Sequence, residues 1–155
     1  LKVVNSDNQY EKLLRDAGMA MNPENIFSPK GQEIRGRAKA LTAKQQTGYI
    51  QGRLGLLIDG TGKDVSKISR QKGLLDQLGY ETIMIFANTS LEVAQIRNKQ
   101  RPRTLPEKSV EQMWNNVQRN IGAFQSLFGS KNFIIVDNND IGDDVFGMVG
   151  TQVRR

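Results

Sequence analysis

Four short apolar runs in this sequence each end in a cluster of carboxylates, carboxamides and hydroxyls. Asn5-Ser6-Asp7 follows residues 1–4, and Asp59-Gly60-Thr61-Gly62-Lys63-Asp64 follows residues 54–58. Asn88-Thr89-Ser90 follows residues 82–87, and Asp137-Asn138-Asn139-Asp140 follows residues 132–136. Such groups can move a proton, orient a nucleophile or hold a hard cation through oxygen. They are equally at home as helix caps, because their side chains satisfy the free amides of a helix start. A different chemistry sits at Arg97-Asn98-Lys99-Gln100-Arg101-Pro102-Arg103, four cations in seven residues. Arg97 and Arg101 are four apart and would share a helix face. The run reads either as a solvated helix end, which favours cations, or as a mobile lid whose guanidiniums clamp a phosphoryl group.

Composition narrows the chemistry. Cysteine and histidine are both absent from the 155 residues. Disulfides, Cys/His zinc sites, thiol nucleophiles and Ser-His-Asp schemes are therefore excluded within this sequence. Lys and Arg number 22 against 16 Asp and Glu, a net charge of +6. That balance favours anionic partners such as phosphates, nucleotides or nucleic acid, although a merely basic protein fits it equally. Mean hydropathy is −0.51. No apolar run approaches the ~18 residues of a membrane span, and no secretory segment opens the sequence. We therefore expect a cytoplasmic protein with no membrane partner.

Asp59-Gly60-Thr61-Gly62-Lys63 invites reading as a phosphate loop, but GxxxxGK[ST] is not met. Leu57 stands six before Lys63, Asp64 replaces the Ser/Thr, and no other Gly-rich cradle is present. Asp59 fits better as a strand-end carboxylate that holds Mg²⁺ through water or orients a nucleophile.

The elements that must position these groups follow from periodicity. The four apolar runs do not alternate, which suits strands buried on both faces in a parallel sheet. Tyr10, Leu13, Leu14 and Ala17 share a helical face over 8–17, stopped by Gly18. Residues 31–52 read as a polar helix with a thin stripe of Ile34, Ala38, Leu41, Gln45 and Tyr49. Residues 64–78 form another helix, ended by Gly79. Thr89-Ser90-Leu91-Glu92 and Thr104-Leu105-Pro106-Glu107 are capping-box patterns. The first opens a helix to about Lys99. The second opens one on which Val110, Met113, Trp114, Val117, Ile121, Phe124 and Phe128 recur at helical spacing. Trp114 reads as a core anchor. Residues 19–30, with two prolines, read as a loop, and the tail after Asn138 is weakly patterned. Strands alternating with helices predict α/β architecture, a three-layer sandwich around a mostly parallel sheet within one domain, 1–155. Its carboxyl edge would be the ligand crevice.

The order of these pieces resembles the P-loop kinases of the zeta toxin and polynucleotide kinase branch, most of all the small kinases encoded by tailed phages. The resemblance covers about residues 1–138. Its most specific parts are LLIDGTGKD at 56–64 and LEVAQIRNKQR at 91–101. It implies a nucleotide-binding, P-loop NTPase-like phosphotransferase using ATP and Mg²⁺. Asp7 would bind the acceptor hydroxyl and act as its base, and Asp59 would be the acid near Mg²⁺. Thr61 would sit close to the acceptor, and Arg70 matches a helix arginine often found after the Asp-x-Thr turn. Arg97, Arg101 and Arg103 would be lid arginines in a lid-like segment, 97–106. Arg35 and Arg37, within an acceptor-side helical region, 19–53, would meet an anionic acceptor. That acceptor would be a nucleoside or nucleotide, a nucleic-acid 5′ end or a sugar nucleotide.

One departure is large. The family begins with a strand and Walker A loop ahead of the piece matching Leu1, and its sheet places that strand between the ones read here at 54–58 and 82–87. We therefore expect an N-terminally truncated kinase with no efficient phosphotransfer as it stands. Its two flanking strands would pair directly, or a homo-oligomer would fill the gap. The competing expectation is a non-catalytic nucleic-acid-binding or interaction module that keeps the fold. The net charge fits that module, although the ten aromatics are not interleaved with Arg and Lys as stacking platforms.

Overall fold

A computed structural model describes residues 1–139. The weakly patterned tail and Asp140 lie outside the described residues. The chain is mixed α/β with parallel strands, and it divides into two compact units, Leu1–Gly60 and Thr61–Arg155.

The first unit contains β1 (Lys2–Val4), α1 (Ser6–Asp16), α2 (Pro23–Phe27), α3 (Pro29–Gln51) and β2 (Leu56–Ile58). The expected loop at 19–30 is largely helix, because both prolines sit where proline suits a helix. Pro23 follows the N-cap Asn22 and Pro29 follows the N-cap Ser28. Their missing amides are ones a helix start leaves unpaired anyway. The buried positions of α3 are Gly31, Ile34, Ala38 and Thr42, while Leu41 is exposed. The stripe is thus confined to the half of α3 that packs on α1 and α2. There Tyr10, Leu14, Ile26, Ile34 and Ala38 form the core, with Leu13 and Met19 against it. β1 and β2 pair in parallel, Lys2 with Leu56, Val3 with Leu57 and Val4 with Ile58.

The second unit contains α4 (Val65–Gln77), β3 (Met84–Asn88), α5 (Leu91–Gln100), α6 (Glu107–Phe128) and β4 (Phe133–Asp137). β3 and β4 pair in parallel, from Met84 with Phe133 to Asn88 with Asp137. Phe86, Phe124 and Phe133 are its buried centre, surrounded by side chains of α4 and α6 such as Ile68, Val117 and Ile121. Phe86 meets both other rings at 6.3–6.4 Å between centroids in tilted geometry, a favourable arrangement for aromatic pairs.

Among the described residues the strands make two two-stranded sheets. Burial on both faces is met only in part, in β4. Val3 and its register partner Leu57 are 51% and 48% exposed, and Ile85 and Ile135 are also exposed. In the first pair the buried side is that of Val4, whereas in the second Phe86 and Phe133 are buried on one face and Val136 on the other. The apolar runs therefore reflect strand propensity as well as burial. No helix among the described residues is long and apolar enough to cross a membrane.

Candidate functional site

The carboxyl ends of β1 and β2 carry the first cluster. Helix α1 begins two residues earlier than its apolar spacing suggests, at Ser6, because Asn5 is its N-cap. Asn5 Oδ1 accepts the Asp7 amide at 2.9 Å. The same carboxamide donates from Nδ2 to Asp59 Oδ2, also at 2.9 Å. Asp59 follows β2 directly, and its amide donates to the Val4 carbonyl at 3.1 Å. One residue thus ties the turn bearing Asp7 to the carboxylate of Asp59. Both acids are exposed, and Asp7 lies in the first turn of α1, where the helix dipole favours negative charge.

A magnesium ion makes modest demands of protein, commonly one or two carboxylates with water and phosphate oxygens completing the shell. Asp59, exposed and held by a carboxamide donor, fits that mode. Among the described residues no group of three acids is gathered to hold a metal without such help.

The remaining predicted residues of this unit separate. Arg35 is half-buried, with its guanidinium 5.9 Å from the Tyr10 ring centroid. It braces α3 against α1. Arg37 is exposed on α3.

The second cluster lies at the carboxyl ends of β3 and β4. Asn88, Thr89, Ser90, Trp114, Ile135, Asp137 and Asn139 line an open cavity of about 460 Å³. Trp114 is half-buried rather than a core anchor, and its indole N–H donates to the Thr89 carbonyl at 2.8 Å. Gln118 Nε2 donates to Asn88 Oδ1 at 2.7 Å. Asn139 Oδ1 accepts the Ser90 amide at 2.8 Å, and its carbonyl accepts Arg97 Nη2 at 3.4 Å. Arg97 therefore borders this cavity. The sequence marks Asn88 by the polar step that ends its apolar strand, whereas Trp114 and Gln118, inside α6, carry no such signal as site residues.

Arg97 and Arg101 do not share a helix face. Helix α5 ends at Gln100, and Arg101 is its C-cap with φ −79° and ψ 145°. Pro102 causes this, since the residue before a proline is pushed out of the helical region. Arg101 and Arg103 are exposed in the turn that follows. The two capping boxes also shift. Ser90, not Thr89, caps α5 by accepting the Val93 amide at 3.2 Å. Pro106 is the N-cap of α6, with no side-chain cap bond from Thr104.

Arg70 is exposed on α4 and Thr61 is exposed in the turn before it. Asp64 takes its cap role, accepting the Lys67 amide at 3.0 Å. In the same turn Gly62 adopts φ +69°, and its carbonyl accepts Asn120 Nδ2 at 3.0 Å. A Cβ at Gly62 would meet Phe86 and Phe124 at 3.5 and 3.7 Å. Glycine there supplies the left-handed backbone at no steric cost.

No family model matches the chain, and it matches no curated protein.

Proposed function

We propose that this chain is the acceptor- and lid-bearing part of an ATP-dependent phosphotransferase of the P-loop kinase type. The observation that carries the reading is the link through Asn5, which holds Asp7 and Asp59 at the carboxyl ends of two paired parallel strands. Strand pairing supports it as well. Both β1–β2 and β3–β4 pair in parallel, the strand direction that an α/β kinase sheet requires.

In this reading Asp7 takes the proton of the acceptor hydroxyl. Asp59 is the residue that would hold Mg²⁺, and the ion supplies charge neutralisation on phosphate oxygens. Arg97, Arg101 and Arg103 offset charge on the transferring group. Arg37, Arg70 and Thr61 would bind the acceptor's anionic or polar groups, as would Arg35, whose guanidinium lies 5.9 Å from the Tyr10 ring centroid. The acceptor is a nucleoside, nucleotide, nucleic-acid 5′ end or sugar nucleotide.

Two tests decide it. Reading the coding sequence ahead of Leu1 should reveal a strand and GxxxxGK[ST]; a start codon there without that motif overturns the reading. In the complete polypeptide, Asp7→Asn should lower phosphoryl transfer from Mg-ATP by roughly 10²–10⁴-fold. Undiminished transfer removes Asp7 as the base.

A second reading, a basic nucleic-acid-binding module, is favoured by one observation. Residues 29–53 carry Lys30, Arg35, Arg37, Lys39, Lys44 and Arg53 against Glu33 alone. Salt-sensitive oligonucleotide binding indifferent to Mg-ATP would select it.

A further inference from the structure

Asn98 lies in the last turn of α5 and is only 7% exposed. Its carboxamide meets the Leu105 backbone twice. Nδ2 donates to the Leu105 carbonyl at 2.7 Å, and Oδ1 accepts the Leu105 amide at 2.9 Å. Two further bonds secure the next step of chain. Gln95 Nε2 donates to the Glu107 carbonyl at 2.8 Å, and Lys99 Nζ pairs with the Glu107 carboxylate at 2.9 Å. The segment between α5 and α6 is therefore a loop closed at its base. Ending α5 does not require this closure, because Pro102 already ends the helix. What the closed loop carries is Arg101 and Arg103, both exposed and, among the described residues, in no ion pair.

An arginine on a free loop loses chain entropy when it clamps an anion, whereas a loop already closed has given up much of it on folding. We propose that Asn98 is a positioning residue, which pre-forms the 99–106 loop so that Arg101 and Arg103 meet a polyphosphate together. The phosphotransferase reading supplies only the choice of polyphosphate as the anion. The carboxamide is suited to the task because one planar group both donates and accepts, so it pairs with a backbone amide and carbonyl at once. Leucine has similar volume and no such groups.

The test titrates inorganic tripolyphosphate into the full chain at low salt, followed through arginine Nε–H and backbone amide resonances. Arg101→Gln and Arg103→Gln should each weaken binding. Asn98→Leu, which alters no charge, should weaken it about tenfold. Added to the double arginine variant it should weaken binding no further, because Asn98 acts through those side chains. In the unaltered chain the Leu105 amide should exchange far more slowly than those of Arg103 and Thr104. Unchanged affinity in Asn98→Leu, additivity with the arginine substitutions, or no tripolyphosphate binding overturns the proposal. A fast-exchanging Leu105 amide overturns it even where Asn98→Leu fails to fold. Phosphoryl transfer by the complete polypeptide is a separate readout. Transfer that depends on Asp7, with tripolyphosphate binding indifferent to Asn98, rejects this proposal and leaves the enzyme reading intact. Coupled binding without transfer does the reverse.

Discussion

Asn5 uses one carboxamide for two purposes, and substitutions separate them. Asn5→Ala removes both the cap of α1 and the donor to Asp59. Loss of such a cap costs about 1 kcal/mol, so the urea midpoint should fall at unchanged slope. Asn5→Asp keeps an acceptor for the Asp7 amide but sets a carboxylate against Asp59. At neutral pH it should retain the cap and lose the orientation of Asp59, which under the proposed phosphotransferase function lowers transfer through kcat. Equal transfer in Asn5→Asp and the parent would detach Asn5 from the chemistry. Asp7 and Asp59 were legible in the sequence because carboxylates that end apolar strands sit where an α/β crevice opens. Asn5 was not, because its bond to Asp59 spans 54 residues. Nothing local distinguishes an asparagine that caps from one that also reaches across to the next strand. Trp114 misled for a related reason. Helical spacing gives its face, but the bond to the Thr89 carbonyl depends on tertiary placement.

At the scale of elements, apolar periodicity located every strand and most helices among the described residues within two residues. The differences trace to proline. Pro23 and Pro29 start helices where a loop was expected, and Pro102 and Pro106 remove Arg101 and Thr104 from helical roles. Proline marks an interruption clearly, but flanking caps decide whether a helix stops or begins there. The join of α2 and α3 admits a sharp test. A Cβ at Gly31 would lie 1.9 Å from the Asn25 carbonyl oxygen and 2.9 Å from that of Ile26, both backbone atoms. The Gly31 carbonyl also accepts the buried Tyr10 hydroxyl at 3.1 Å. Gly31→Ala must therefore move one helix relative to the other. It should destabilise the first unit by about 1–3 kcal/mol, read as earlier loss of amide protection in α1 and α3. Gly36→Ala, on an exposed stretch of the same helix with nothing within 4 Å, should instead be neutral or stabilising. In the second unit, Asp76 accepts from Lys72 Nζ at 2.6 Å and from Thr82 Oγ1 at 3.1 Å. The Lys72 bond, with help from Thr82, holds its carboxyl below the usual value of 3.8. A lowered folded-state value means its contribution is present above that point and is lost as pH falls through the lower one. Thermal melts should show this acid slope, and Asp76→Asn should flatten it. Between pH 6 and 8 the melts should stay level, since the chain has no histidine to titrate there.

For the whole molecule, charge separates the two functional readings better than fold does, because one fold serves many functions. The positive excess of residues 29–53 lies mostly on α3. Lys30, Arg37 and Lys44 are exposed there at intervals of seven, so they drift only about 20° per step around the helix and stand roughly 10 Å apart along it. Arg35, stacked against Tyr10, stands outside that line. A strand of nucleic acid laid along α3 would be met by three cations in succession. For a single-stranded oligonucleotide, log affinity should then fall linearly with log salt. Replacing Lys30, Arg37 and Lys44 together by Gln should reduce that slope by about 2, near 0.7 for each phosphate left without its cation. A slope that does not change removes α3 from any nucleic-acid surface. If the slope does fall, Mg-ATP decides what the surface serves. In an interaction module the triple variant loses binding and there is no transfer to lose. In a phosphotransferase acting on 5′ ends, the same variant raises KM for the oligonucleotide and leaves kcat to Asp7, because these cations hold substrate and transition state alike.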